Sequence, residues 1–153
     1  MKTIAQLVKS KQYEEAIDLL VTLAEPKTGT PIRTPIDSYN VLKHYSCRKQ
    51  ESMFLITLNG SHEVIRIHEV TKGLVNKTMI HPREVYRLSI ADNATSIILA
   101  HNHPSGNVNP SMEDNDVTTR MRQAGEIIGI TMLDHVIIGR NGFYSYLQNG
   151  NLS

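Results

Sequence analysis

The chain has 153 residues, of which 40% are hydrophobic and 20% charged, with a net charge of +1 and a single cysteine, Cys47. This length predicts one domain with its own core, and the balanced charge excludes a basic stripe, so we expect no nucleic-acid-binding patch. One cysteine excludes an internal disulfide. The lack of a long apolar run and of a signal-peptide pattern predicts a cytoplasmic protein that does not enter the membrane.

The first 30 residues predict a helical extension and a linker. Apolar residues recur at helical spacing over residues 3–25, with an interruption at residues 10–12 that predicts two short helices. Residues 25–35 are rich in proline and threonine, which oppose helix and central strand. We therefore expect an extension over residues 1–30 and the main domain over residues 31–153. The apolar face of the helix pair predicts a cap on that domain or a homodimer contact.

The middle of the chain predicts antiparallel strands. After a short helix over residues 37–45, an apolar run at residues 53–58 meets Asn59-Gly60, which is the strongest signal for a two-residue hairpin turn. The β-branched residues of the next run, 64–70, predict the partner strand. Gly73 permits another reversal into a third strand over residues 74–80.

The second half predicts alternating helices and strands. Pro82 suits the first turn of a helix that continues to residue 93, and a buried apolar strand follows over residues 96–100. That strand ends at a polar loop, residues 102–110, where we expect the chemistry. A long helix over residues 111–128 then buries four apolar residues, Val117, Met121, Ala124 and Ile128. Two last strands, residues 131–138 and 142–147, complete a domain of the α/β (α+β) class.

Two histidines and an aspartate near this loop predict a metal site. His101 and His103 are two residues apart and project to the same side of an extended backbone, while Asp114 lies in the first turn of the next helix. Three nitrogen and oxygen ligands with a fourth position open to water are typical of a catalytic zinc. Each half has an ordinary alternative, because His-x-His occurs by chance and Ser111-x-x-Asp114 is also a helix capping box.

Taken together, the residues from His101 to Asp114 read HNHPSGNVNPSMED and resemble the JAMM signature of the JAB/MPN+ metalloprotease superfamily. Further stretches resemble the RadC branch of that superfamily, from about Thr34 to the end of the chain: HPREV at residues 81–85, residues 93–106, LDH at residues 133–135 through Gly139, and GFYS at residues 142–145. The resemblance to RadC proteins also implies a helix-hairpin-helix module before this domain, and we expect the chain to be too short to include that module.

The resemblance implies a fold, a cofactor and two catalytic residues. The fold is a cytidine-deaminase-like JAB/MPN domain, with a mixed, mostly antiparallel sheet flanked by helices. The cofactor is one Zn²⁺ per chain, although this ligand set would accept other divalent ions. Alignment with the family places the general base at Glu51, where spacing alone leaves Glu63, Glu69 and Glu84 open, and the resemblance assigns a stabilising hydroxyl to Ser111.

These expectations favour a zinc-dependent hydrolase that cleaves a peptide or isopeptide bond with zinc-activated water. A second hypothesis is a RadC-type adaptor in DNA repair, and a third is a scaffold without catalysis. Among the other histidines, His81 is expected either to cap a helix or to reach the site, and His135 either to act there or to be a core histidine. His44, His62 and His68 are expected on the surface.

Overall fold

A central β-sheet organises the structure, a computed structural model that describes residues 2–24, 28–73 and 80–152. Within these residues the sheet has five strands: β1 (Ser52–Leu58), β2 (Val64–Lys72), β3 (Ser96–Asn102), β4 (Thr131–Ile138) and β5 (Phe143–Ser145). Five α-helices flank it: α1 (Ile4–Lys9), α2 (Tyr13–Ala24), α3 (Pro35–Leu42), α4 (Pro82–Ala91) and α5 (Met112–Ile128). A 3₁₀ helix, Lys43–Cys47, extends α3. The predicted mixed α+β fold is confirmed.

The strand order is β2-β1-β3-β4-β5, and the pairing is antiparallel except between β3 and β4. The parallel pair needs a crossover connection, which α5 provides. β3 therefore lies at the centre of the sheet, and all seven of its residues are buried. The loop of residues 103–111 joins β3 to α5, and it brings the start of that helix close to the end of the strand.

Both faces of the sheet carry a hydrophobic core, since side chains alternate between the faces along each strand. On one face, Phe54 and Ile98 pack with Leu42 and Tyr45 from α3 and the 3₁₀ helix. On the other face, Leu55 and Leu99 pack with residues of α4 and α5, among them Val85, Tyr86, Val117 and Met121. We call these the α3 face and the α5 face.

Some predicted elements differ from the structure in their bounds, and one is not tested. β1 and β2 form the predicted hairpin, but residues 59–63 connect them rather than a two-residue turn, because the Asn59 side chain accepts bonds from the backbone of Ser61 and Glu63. β5 spans only Phe143–Ser145 because turns follow it. The strand predicted over residues 74–80 lies outside the described residues apart from Ile80.

One predicted core position of α5 is wrong. Ile128 is exposed, whereas Gly125 is buried one turn earlier. A Cβ at Gly125 would collide with the Tyr86 hydroxyl and the Ile130 carbonyl, so the close contact with the core occurs there. The last turn lies beyond this contact and ends at Gly129, which has φ +84°.

The two predicted N-terminal helices are present as α1 and α2. Thr3 caps α1 in a capping box with Gln6, and Ile17 of α2 packs against the core of the α3 face. The predicted linker, described from residue 28, lies against the edge of the sheet, because Gly29 donates to the Val64 carbonyl and Ile32 to the His62 carbonyl.

In the described part of the chain, none of the helices has both the length and the apolar character that crossing a bilayer requires.

Candidate metal centre

The end of β3 presents consecutive side chains to opposite faces of the sheet. His101 follows Ile97 and Leu99 onto the α5 face and is completely buried. Asn102 follows Ile98 and Ala100 onto the α3 face. The backbone N–H of His103 donates to the Ile138 carbonyl, which keeps the chain beside β4 for one further residue. Both imidazoles can therefore face the start of α5.

The first turn of α5 carries Asp114 to the same place. Ser111 is the N-cap residue, and its hydroxyl oxygen accepts from the Asp114 N–H at 3.1 Å. In return, the Ser111 N–H donates to Asp114 Oδ2 at 2.7 Å. The capping box therefore fixes the Asp114 side chain, which is completely buried, as part of the local helix start. Two hydrogen bonds therefore link Ser111 to Asp114 without a bound ligand.

Three of the predicted ligands converge through their terminal atoms. His101 Nε2 lies 2.9 Å from His103 Nε2 and 3.1 Å from Asp114 Oδ1. His103 Nε2 lies 3.5 Å from Asp114 Oδ2. Ligands at about 2.0 to 2.2 Å from one tetrahedral zinc are separated from each other by distances of this order.

Glu51 completes a group of four side chains. It lies one residue before β1, on the face of Met53, which pairs with His101 across the sheet. Its Oε1 is 3.8 Å from His101 Nε2. One ligand atom from each of Glu51, His101, His103 and Asp114 can be chosen so that all four lie within 4.8 Å of one another.

Asn102, which the sequence analysis did not single out, connects the histidine strand to the glutamate segment. Its Oδ1 accepts from the Ser52 N–H at 2.8 Å, and its Nδ2 donates to the Gln50 carbonyl at 3.0 Å. These bonds hold the residues on both sides of Glu51. The side chain between the two histidines therefore sets the position of Glu51 relative to them, from the opposite face of the sheet.

The hydrogen bonds of His103 determine which nitrogen holds its proton. His103 Nδ1 lies 2.6 Å from the Asn107 carbonyl oxygen. A carbonyl oxygen only accepts hydrogen bonds, so Nδ1 carries a proton, and in the neutral form of the ring the Nε2 lone pair is directed at His101 and Asp114. A backbone partner for the second ring nitrogen is the usual arrangement around metal-bound histidine.

This donor set fits a divalent metal ion. Two imidazole nitrogens and a carboxylate oxygen are ligands that zinc binds, and Glu51 lies beside them rather than among the three nearest atoms. Lone pairs and negative charge brought this close repel one another unless a cation lies between them. His101 and Asp114 have no exposed side-chain surface, whereas 13% of His103 and 21% of Glu51 is exposed, so the site opens on the side of the latter two.

A second buried carboxylate, Asp134, lies next to His135 on β4. Its Oδ1 accepts from the N–H groups of His135 and Leu147, and its Oδ2 accepts from the Ser145 hydroxyl. Burial raises the pKa of Asp134, and these hydrogen bonds offset the effect only in part. The carboxylate therefore fastens the segment after β5 to β4.

The remaining histidines occupy different environments. His135 is buried against the site, and His81 is an exposed residue that begins α4 without a side-chain capping bond. His62 is exposed as expected. The expectation is wrong for His44 and His68, which are partly buried: His44 packs on the Tyr45 ring, and burial, with the charge of Arg48, lowers its pKa.

A comparison with known families identifies the domain. A family model described as the RadC-like JAB domain matches residues 32–151. The chain belongs to the RadC-like JAB family. The predicted family is therefore confirmed, and the candidate metal centre lies within the matched residues.

Relatives of this RadC-like JAB domain carry the name UPF0758 protein. One from Chlorobium phaeovibrioides is 46% identical over 104 residues, covering 68% of this chain and 47% of the relative. One from Clostridium botulinum strain Alaska E43 is 46% identical over 105 residues, covering 69% and 46%. A third, from Clostridium botulinum strain Okra, is 41% identical over 122 residues, covering 79% and 54%. The chain spans about half the length of these curated relatives.

Proposed function

We propose that this RadC-like JAB domain is a zinc-dependent metallohydrolase that cleaves an amide bond in a peptide or protein substrate, either a peptide or an isopeptide bond. The observation that carries the proposal is the convergence of His101, His103 and Asp114 beside Glu51. Three ligands and an adjacent carboxylate are the parts that metal-assisted hydrolysis requires. Family membership supports the same reading.

Different residues would bind the metal ion and transfer the proton. His101, His103 and Asp114 would hold one Zn²⁺, which when bound acidifies a water molecule and polarises a carbonyl group. Glu51 would accept the proton of that water on its carboxylate, and its partial exposure at the open side of the site supports this role. The same carboxylate would return the proton to the leaving nitrogen, because an amide anion is too basic to depart without it.

Ser111 would stabilise the charge that develops on the substrate oxygen. Its hydroxyl oxygen already accepts the Asp114 N–H, so the hydroxyl proton is available for donation. The N-cap bond restricts the position of the hydroxyl, and a donor held in place before the reaction stabilises developing negative charge at low cost. The capping role and the proposed chemical role are therefore compatible.

The proposed role of Glu51 is tested with Glu51→Gln in the zinc-loaded protein, assayed on a panel of peptides and isopeptide-linked conjugates. Glutamine keeps the size of the side chain but does not take up a proton, so we expect the cleavage rate to fall about 10²- to 10⁴-fold. Zinc content is measured in parallel and should stay at the wild-type level.

Glu84→Gln is the matched control, because Glu84 is an exposed residue in the first turn of α4. It should cleave at the wild-type rate. Equal rates for Glu51→Gln and wild type would refute the role of Glu51. A wild-type protein that binds zinc and cleaves no member of the panel would contradict the hydrolase proposal and favour a scaffold.

A further inference from the structure

A buried chain of hydrogen bonds leads away from the metal centre. His101 Nδ1 lies 2.9 Å from His135 Nε2, and His135 Nδ1 lies 2.6 Å from Thr118 Oγ1. The Thr118 hydroxyl lies 2.6 Å from the Asp114 carbonyl oxygen. The chain therefore begins on the ring of one predicted ligand and ends on the backbone of another. All four residues are buried.

The chemistry of its last member gives the chain a direction. The Asp114 carbonyl only accepts, so the Thr118 hydroxyl donates to it and its oxygen is left to accept from His135 Nδ1–H. A neutral His135 protonated on Nδ1 has a lone pair on Nε2, which accepts from His101 Nδ1–H. His101 Nε2 consequently carries a lone pair aimed at the site.

We propose that His135 and Thr118 are positioning residues that hold His101 in its Nδ1–H tautomer, so that the ring is ready to bind a metal ion before one arrives. The inference rests on the metal site of the proposed function and assigns roles to two residues outside it. It also decides between the alternatives left open for His135, which serves the site although it lies in the core.

The chain of hydrogen bonds opposes the Nε2–H tautomer of His101, which the neighbouring Asp114 carboxylate would favour. Asp114 Oδ1 lies 3.1 Å from His101 Nε2, close enough to accept a hydrogen bond from a proton on that nitrogen. A charge-assisted bond of this kind would stabilise the Nε2–H form, in which the metal-binding lone pair is lost. An acceptor at Nδ1 is therefore needed to favour the other tautomer, and His135 Nε2 supplies it.

Two further contacts fix the His135 ring. The Tyr146 ring stacks on it at 5.2 Å between centroids with an angle of 9° between the planes, and the Tyr146 hydroxyl donates to Asn115 in the first turn of α5. The Tyr146 N–H donates to the His135 carbonyl. Tyr146 therefore contacts both the ring and the backbone of His135, and these contacts restrict the orientation of the His135 side chain.

The proposal is tested by ¹⁵N NMR of the imidazole nitrogens in the full metal-free chain, at a pH of about 8 where histidine is ordinarily neutral. In wild type, His101 should carry its proton on Nδ1. His135→Leu removes the acceptor and Thr118→Val removes only the hydroxyl at nearly constant shape, so both should shift His101 towards the Nε2–H tautomer.

Two conservative variants serve as matched controls. His135→Gln keeps an acceptor and a donor, and Thr118→Ser keeps the hydroxyl, so both should retain the wild-type tautomer. Zinc affinity, measured by competition with a chromophoric chelator, should fall about 10- to 100-fold in the Leu and Val variants, as is typical for lost partners of metal ligands. The Gln and Ser variants should restore it.

A wild-type His101 protonated on Nε2 would overturn the proposal. The same holds if Thr118→Val, which keeps the shape of the core, leaves both the tautomer and the zinc affinity unchanged. Failure of the proposed function gives a different result. A wild type that shows the expected tautomers but binds no zinc would support the positioning roles of His135 and Thr118 and would contradict the proposed zinc-dependent hydrolase.

Discussion

Asp92 and Asp114 each place a carboxylate with little exposed surface beside histidine side chains, and their surroundings are opposite in kind. Asp92, at the end of α4, accepts from the Thr57 hydroxyl at 2.7 Å and from His68 Nε2 at 2.6 Å. Asp114, at the start of α5, faces the Nε2 atoms of His101 and His103 at 3.1 and 3.5 Å. The histidine beside Asp92 donates to its carboxylate, whereas the two histidines beside Asp114 would direct nitrogen lone pairs at it.

The difference distinguishes a structural carboxylate from a proposed metal ligand. Burial alone raises the pKa of Asp92, but the bonds from His68 and Thr57, with the charges of His68 and Arg66, outweigh it and lower the pKa below its ordinary value. The protein therefore provides the compensating charge itself. At Asp114, the bond of His103 Nδ1 to the Asn107 carbonyl and the hydrogen-bond chain proposed behind His101 would direct both imidazole lone pairs at the carboxylate, and a bound cation would supply the compensating charge.

The largest expected effect is on stability in the presence of zinc. Free zinc at about 100 times its dissociation constant should stabilise the wild type by about 2.7 kcal/mol, because it binds only the folded site. Asp114→Asn should abolish this gain, measured as the shift of the unfolding midpoint with added zinc, and Asp92→Asn should keep it. Equal gains in both variants would contradict the comparison.

A smaller effect is expected from Asp92→Asn in the metal-free protein. The variant should lose about 1 to 3 kcal/mol at neutral pH, which is the cost of weakening hydrogen bonds to a buried charged group. Because folding lowers the pKa of Asp92, this contribution is present above the ordinary pKa of about 3.9 and is lost as the pH falls through the lowered folded value.

Denaturant unfolding of the two proteins at several pH values measures that prediction. The stability gap should be constant from about pH 6 to pH 5 and should shrink below about pH 4. A gap that widens as the pH falls would mean that folding raises the pKa of this carboxylate, and the structural assignment would be wrong.

The sequence predicted those parts of the site that depend on local geometry. Alternation along a strand places His101 and His103 on one side, and a capping box places Asp114 in a first helical turn, so both were accessible from spacing. The position of Glu51 came from family resemblance, because it depends on the pairing of β1 with β3, which spacing does not reveal.

The proposed role of His135 depends on an irregularity in the pairing of β3 with β4, which the sequence pattern did not predict. The register between β3 and β4 shifts after Met132, so that Ile98 pairs with Asp134 and Leu99 with His135. The extra residue, Leu133, reverses the alternation and turns His135 towards α5. Strict alternation from Met132 would have placed Asp134 there instead. The contact of His68 with Asp92 also joins residues distant in sequence, so it could not be predicted from spacing, and His68 was expected on the surface.

The most direct test of the central claim is elemental analysis of untagged protein, wild type beside His103→Ala. The convergence of His101, His103 and Asp114 predicts about one zinc per chain in the wild type and a loss of zinc in the variant, since two ligands hold the ion far less tightly than three. Wild type purified without metal that also takes up none on zinc addition would contradict the claim.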